Sequence, residues 1–148
     1  MNTEEAKSPF QIRDWRIARL NYANGIFSLD NDAKLQWKLT FHKTNQYDIE
    51  NQVYVGSLCI EFDAYIENEQ RKMELSGASY ALFTFEAEQS EGHEKQMESL
   101  LKFNGLSFSI GMLRNYIAMQ GDLLRTRVQI MLPNINLNNV EYEEEITL

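Results

Sequence analysis

The sequence has 148 residues, 14 Lys and Arg against 22 Asp and Glu, and a formal net charge of -8. That length suits one domain with a real core. The acidic balance excludes the basic footprint that a phosphate backbone requires, so no nucleic-acid partner is expected.

A single cysteine, Cys59, excludes an intramolecular disulfide. Its neighbours Leu58 and Ile60 mark it as a small buried hydrophobe, and a reduced, cytoplasmic compartment is expected. Residues 1–9 are expected to form a flexible tail. They carry neither the basic nor the apolar region of a signal peptide. No apolar run is long enough for a bilayer, so no membrane insertion is expected.

Extended structure is expected over residues 10–23. Phe10 and Ile12 alternate, then Trp15 and Ile17, then Leu20 and Tyr22. The phase changes twice, which implies bulges in one long strand or two short strands. Asn24-Gly25 signals a turn. The loop beyond it carries Ile26, Phe27 and Leu29.

Residues 34–43 alternate cleanly. Leu35, Trp37, Leu39 and Phe41 share one face, and Gln36, Lys38, Thr40 and His42 share the other. A third strand is expected at 53–67, with Tyr54, Leu58, Ile60, Phe62, Ala64 and Ile66 on one face. Ser57, Cys59, Glu61 and Asp63 oppose them. A fourth follows at 72–88, where Met73, Leu75, Ala81, Phe83 and Phe85 share a parity. Successive strands with short polar links predict an antiparallel meander.

The period changes over residues 90–121. Ser90 can cap a helix with Glu91 and Glu94 in its first turn. Met97, Leu100 and Leu101 form its apolar stripe, and Asn104-Gly105 reads as a break between two helices. The second helix carries two stripes. Leu106, Ile110, Leu113 and Ile117 form one; Phe108, Met112, Tyr116 and Met119 form the other. A helix lying on one sheet needs one apolar face. Burying a residue of this kind stabilises by about 1.5–3 kcal/mol, so the second stripe is expected to meet another copy of the chain.

A short strand is expected at 127–132, ended by Pro133. The acidic end, 141–148, reads as a solvated tail. The fold expected for residues 10–140 is α+β: a four-stranded antiparallel sheet followed by a helical layer packed on one face.

Chemistry is sparse. His42 and His93 have no Cys or His at ligand spacing, so neither a metal nor a cofactor is expected. Asp30 with Asp32, and Glu61 with Asp63, read as solvated carboxylates. There is no Gly-rich phosphate loop and no nucleophile elbow, and an enzyme is not expected.

Three segments carry a resemblance. They are Leu100-Leu101-Lys102-Phe103-Asn104-Gly105, then Leu113-Arg114-Asn115-Tyr116-Ile117, then Ile130-Met131-Leu132-Pro133-Asn134-Ile135-Asn136-Leu137. Together they resemble the SecB family of protein-export chaperones. That family has a helix with an aromatic-x-Arg-x-x-Ile pattern and then a Phe/Leu-Pro-x-x-Asn-Leu element. Residues 112–117 and 132–137 stand in those places, and Phe10-Gln11-Ile12 looks like the opening of the first strand. Two departures stand out. Gly111 replaces a frequent proline, and the segment after Leu137 lacks the proline and amphipathic helix that usually follow.

The resemblance implies dimers that pair through helices into a tetramer. It implies a holdase that binds unfolded, secretion-bound polypeptides without ATP and passes them to the SecA motor. The candidate client contacts are Phe27, Leu29, Trp37, Tyr47, Leu132, Ile135 and Val140, chosen as apolar residues in loops or on strand surfaces. The candidate oligomer contacts are Phe108, Met112, Tyr116 and Met119. Two other readings stay open. One is a dedicated partner of a single protein, such as an antitoxin. The other is a small-molecule-binding protein with a cavity between sheet and helices.

Overall fold

A computed structural model describes residues 8–24, 35–67, 72–123 and 131–148. Four long strands come first: β1 (Phe10–Asn24), β2 (Gln36–Asp48), β3 (Val53–Glu67) and β4 (Lys72–Glu86). Helices α1 (Glu91–Leu100) and α2 (Leu106–Leu123) follow, joined by a π-helical turn at Leu101–Gly105. A 3-10 turn at Leu137–Asn139 precedes a short strand, β5 (Glu145–Thr147). The architecture is the expected α+β one, a sheet with a helical layer on one face.

The sheet has five antiparallel strands in the order β1-β4-β3-β2-β5. The expected meander therefore holds for β2, β3 and β4 and fails for β1, which pairs with β4 instead of β2. Link length explains the difference. Residues 49–52 and 68–71 are short enough for hairpins, whereas residues 25–35 are long enough to reach the opposite edge.

β1 is one long strand with two bulges. Its register against β4 slips between Ile12 and Asp14 and again between Ile17 and Arg19, leaving Arg13 and Ala18 unmatched. Each slip restores the pleat. Phe10, Ile12, Trp15, Ile17, Leu20 and Tyr22 all sit opposite Phe85, Phe83, Ala81, Ser79, Gly77 and Leu75, on the helix side.

The core lies between sheet and helices. Trp37, Leu39 and Phe41 of β2 are buried there with Leu58, Ile60 and Phe62 of β3 and Leu75, Ala81 and Phe83 of β4. Lys38, Thr40 and His42 take the outer face, as period-two alternation requires.

Ser90 caps α1, its hydroxyl accepting from the His93 amide at 3.0 Å. The expected break at Asn104-Gly105 does not occur. The chain stays helical through the π turn, which inserts a residue without ending the rod. Gly105 then lies flat on the sheet, where a Cβ would stand 2.9 Å from Leu58 Cδ1. Gly56 on β3 makes the reciprocal gap, since a Cβ there would stand 2.8 Å from Met97 Cε. Bare backbone on both sides lets the layers approach closely. Beyond the turn, Leu106, Ile110, Leu113 and Ile117 all bury against the sheet. Of the two α2 stripes, this is the one that the sheet covers.

The C-terminal segment corrects two expectations. Residues 141–148 are not a solvated tail: β5 pairs with Lys38, Leu39 and Thr40 of β2. The backbones of Leu148 and Trp37 exchange hydrogen bonds of 2.8 and 3.1 Å. The physical reason is the unpaired edge of β2, whose backbone groups need partners. Met131 and Leu132 are irregular rather than extended, and the rest of the expected strand, 127–130, lies outside the described residues. So do residues 1–7 of the expected N-terminal tail and the loop carrying Ile26, Phe27 and Leu29.

Candidate functional site

Two surfaces hold most of the residues that the sequence singles out for binding. The first joins α2 to β1. Met112 and Met119 are exposed, at 36% and 62%, while Phe108 and Tyr116 are half-buried beside them. Aromatic contacts tie this stripe to the sheet edge. Phe108 meets Phe83 edge-on at 6.2 Å, Phe83 stacks on Phe10 at 5.4 Å, and Tyr116 meets Trp15 at 6.1 Å. Ile12 on β1 and Phe103 in the π turn are also open, at 46% and 48%. Sequence reasoning assigned the α2 stripe to self-association but missed Ile12 and Phe103. Parity gives Ile12 a face but does not reveal that β1 is an edge strand.

The second surface is the β2 edge with the segment that wraps it. Arg114 on α2 donates through Nε to Leu132 O and through Nη2 to Pro133 O, both at 3.2 Å. That grip lays residues 131–140 along the sheet-helix seam. Three of the proposed client contacts are core residues there, not open surface: Trp37, Leu132 and Val140 are each 2% exposed. Trp37 shares its parity with Leu39 and Phe41 and joins their cluster, to which Leu132 and Val140 of the C-terminal segment also belong. Tyr47 and Ile135 are half-buried against the core. Tyr47 donates its hydroxyl to Ala87 O at 3.1 Å and packs 4.7 Å from the Tyr54 ring. Phe27 and Leu29 lie outside the described residues.

Polar groups fasten the segment at the edge. The Glu143 amide donates to Phe41 O at 2.8 Å, and Tyr142 makes a lone bridge to Phe41. Lys43 Nζ pairs with Glu98 on α1 and stands 4.9 Å from the centre of the Tyr142 ring. Burial, with the Glu98 charge, pushes the Tyr142 hydroxyl up to about 12, so it stays protonated. On the outer face, His42 sits between Glu143 and Glu61. Burial works against a charged ring there, but hydrogen bonding and charge from Glu143 and Glu61 outweigh it and raise the His42 pKa. Sequence reasoning read His42 as a lone exposed histidine, since neither carboxylate is near it in the chain.

Two open depressions lie on the outer sheet face among the described residues. One of about 330 Å³ is lined by charged groups, including Arg19, Lys38, Glu61 and Glu145. The other, of about 480 Å³, lies over the second bulge and is lined by Arg16, Ile17, Ala18, Cys59 and Tyr80. Neither lies between sheet and helices, where a cavity for a small molecule was considered. Among the described residues no group of His, Cys, Asp and Glu is arranged to hold a metal ion. No helix among them is long and apolar enough to cross a membrane.

No family model matches the sequence, and no curated protein matches it. Solved structures do match in fold. The chain matches a SecB-like chaperone of Mycobacterium tuberculosis, solved in complex with a ChAD peptide from the HigA1 antitoxin, with a TM-score of 0.60. The two are 20% identical, and the match covers 85% of this chain and 90% of that one.

The fold is SecB-like.

A protein of unknown function from Streptococcus agalactiae also matches, at a TM-score of 0.50 and 11% identity, over 84% of this chain and 97% of that one. At such identities the agreement is one of fold. The SecB-like fold gives the resemblance read from residues 100–137 its structural counterpart. It also frames the two apolar surfaces, one on α2 and one along β2.

Proposed function

We propose that this chain is an ATP-independent chaperone that holds unfolded or extended polypeptides. The observation that carries this reading is the exposed second stripe of α2 on a SecB-like fold. Met112 and Met119, with Phe108 and Tyr116, form the contact between copies in a homodimer or homotetramer. An assembly of copies presents several weak apolar seats to one long client, and linked weak contacts add up to useful avidity. Each seat lies along the β2 edge, with Tyr47 and Ile135 at its wall. Binding the unfolded chain shifts a client's folding equilibrium by mass action and requires no catalytic group. In the export role, the clients are secretory preproteins in the cytoplasm and the acceptor is SecA.

An aggregation assay with a slow-folding secretory protein tests the reading. A stoichiometric excess of the chain should suppress aggregation and slow refolding. No effect on either would sink it. A direct titration with SecA tests the acceptor separately.

A second reading is favoured by the antitoxin peptide bound to the M. tuberculosis chaperone. Here the chain serves one dedicated partner, such as an antitoxin. Selective capture of one protein from its own cell extract, with no protection of general clients, is the expected result.

A further inference from the structure

We propose that β5 is a built-in occupant of the polypeptide seat on β2, displaced when an extended apolar segment of a client pairs there as a strand. The proposal rests on the chaperone reading and adds where the client lies and what it must remove.

The backbone of β2 defines the seat. Trp37 exchanges hydrogen bonds with Leu148, and Phe41 O accepts from Glu143, so the odd-numbered residues turn their backbone groups outward. By the same alternation Lys43, Asn45 and Tyr47 turn theirs outward as well. No strand pairs with them among the described residues. β5 thus fills one end of a longer open edge. A client strand that runs past Phe41 gains pairings that β5 does not make. Strand addition of this kind takes its affinity from the main chain and its selectivity from alternate side chains.

β5 shows what chemistry the seat accepts. Ile146 stands opposite Leu39 and packs against the core. The occupant is therefore an extended segment with apolar side chains at alternate positions, as unfolded strands of globular proteins have.

Several features make β5 a poor permanent occupant. It contributes three paired residues. Glu143 leads into it at a φ of 66°, a left-handed conformation that a side-chain-bearing residue adopts under constraint. The buried Tyr142 hydroxyl finds no hydrogen-bond partner among the described residues. Glu143 is paired with His42, but Glu141, Glu144 and Glu145 add like charge at the same place. A client lacking these features replaces β5 without inheriting their cost.

A reversible lock tests the proposal in the full chain. Lys38 and Thr147 are direct cross-strand partners. In a Cys59→Ala background, Lys38→Cys with Thr147→Cys bolts β5 down when oxidised and frees it when reduced. The probe is fluorescein-labelled, reduced and carboxymethylated α-lactalbumin, which stays unfolded. Oxidation should weaken probe binding about tenfold, because a seat that is rarely vacant lowers apparent affinity by its vacant fraction. Ile146→Asp, which dislodges β5, should bind more tightly than the parent. Equal affinity of the oxidised and reduced forms overturns the proposal and leaves the chaperone reading standing. Absence of binding by every form, the reduced one included, overturns both. The lock compares one folded protein with itself, so it decides even where Ile146→Asp does not fold.

Discussion

Nδ1 of His42 lies 2.7 Å from Oε2 of Glu143, although 101 residues separate the two in sequence. Its Nε2 faces Oε2 of Glu61 at 3.3 Å, an ion-pair distance. The ring is held between a carboxylate of the central sheet and one of the C-terminal segment. Charge therefore supplements strand pairing in fastening residues 141–148.

This clamp makes the fastening depend on pH. Glu61 faces the ring from β3 and Glu143 from the C-terminal segment, while Cys59 is the ring's cross-strand neighbour. The folded His42 pKa is raised above 6.5, so the clamp is complete below about pH 6.5 and is lost as pH climbs through the folded value. Amide exchange over residues 143–148, corrected for its intrinsic pH dependence, should accelerate across that range. In His42→Gln the corrected rates should stay level.

Core truncation on α2 should be costly. Leu113 is fully buried on the face that meets the sheet. Leu113→Ala removes apolar contacts and leaves a void, a loss of about 2–5 kcal/mol. Urea denaturation should show the midpoint falling with little change in slope.

Gly105→Ala should also destabilise, by about 1–3 kcal/mol, because its Cβ would press on Leu58 Cδ1. Leu58→Ala removes the atom in the way. The double variant should therefore lose less stability than the two single losses added together. A sum equal to or greater than the singles would show that the contact at Gly105 is not what limits the approach.

Charge on the open stripe should separate copies without unfolding them. Met119 is 62% exposed, so Met119→Lys costs the protomer little. Sedimentation velocity should show Met112→Lys with Met119→Lys as a monomer where the parent is an oligomer, at unchanged thermal stability of the protomer fold. An unchanged oligomer would remove α2 from the interface.

Local pattern made part of this structure legible. The double phase change in β1 marked where both bulges fall, since a slipped pleat shows as a three-residue step, Ile12 to Trp15 and Ile17 to Leu20, in a two-residue alternation. One bulged strand, not two short ones, is what forms. The spacing of Leu106, Ile110, Leu113 and Ile117 gave the buried face of α2. What stayed hidden depends on distant pairing. Nothing in residues 10–24 reveals that β4 is their partner, and nothing in the acidic run reveals the edge of β2. The site suffered most from this. Trp37 is core, in one buried cluster with Leu132 and Val140 from the distant C-terminal segment, and His42 became a clamp once Glu143 arrived beside it. At Asn104-Gly105 the chain stays helical, and the glycine serves close approach to Leu58 instead of a break.

The bulges in β1 leave the strand with spare length. Arg13 and Ala18 have no opposite number on β4, so every other residue is already in step without them. Removing either one closes a bulge and keeps Phe10, Ile12, Trp15, Ile17, Leu20 and Tyr22 pointing inward. Arg13 would forfeit its hydrogen bond to Thr84, and the strand would coil less. A deletion at the regularly paired Arg16 keeps this facing only by shifting the register until a bulge absorbs it. Arg13 and Ala18 are thus two built-in splice points, at which the chain can shorten by a residue and still present the same wall to its helices.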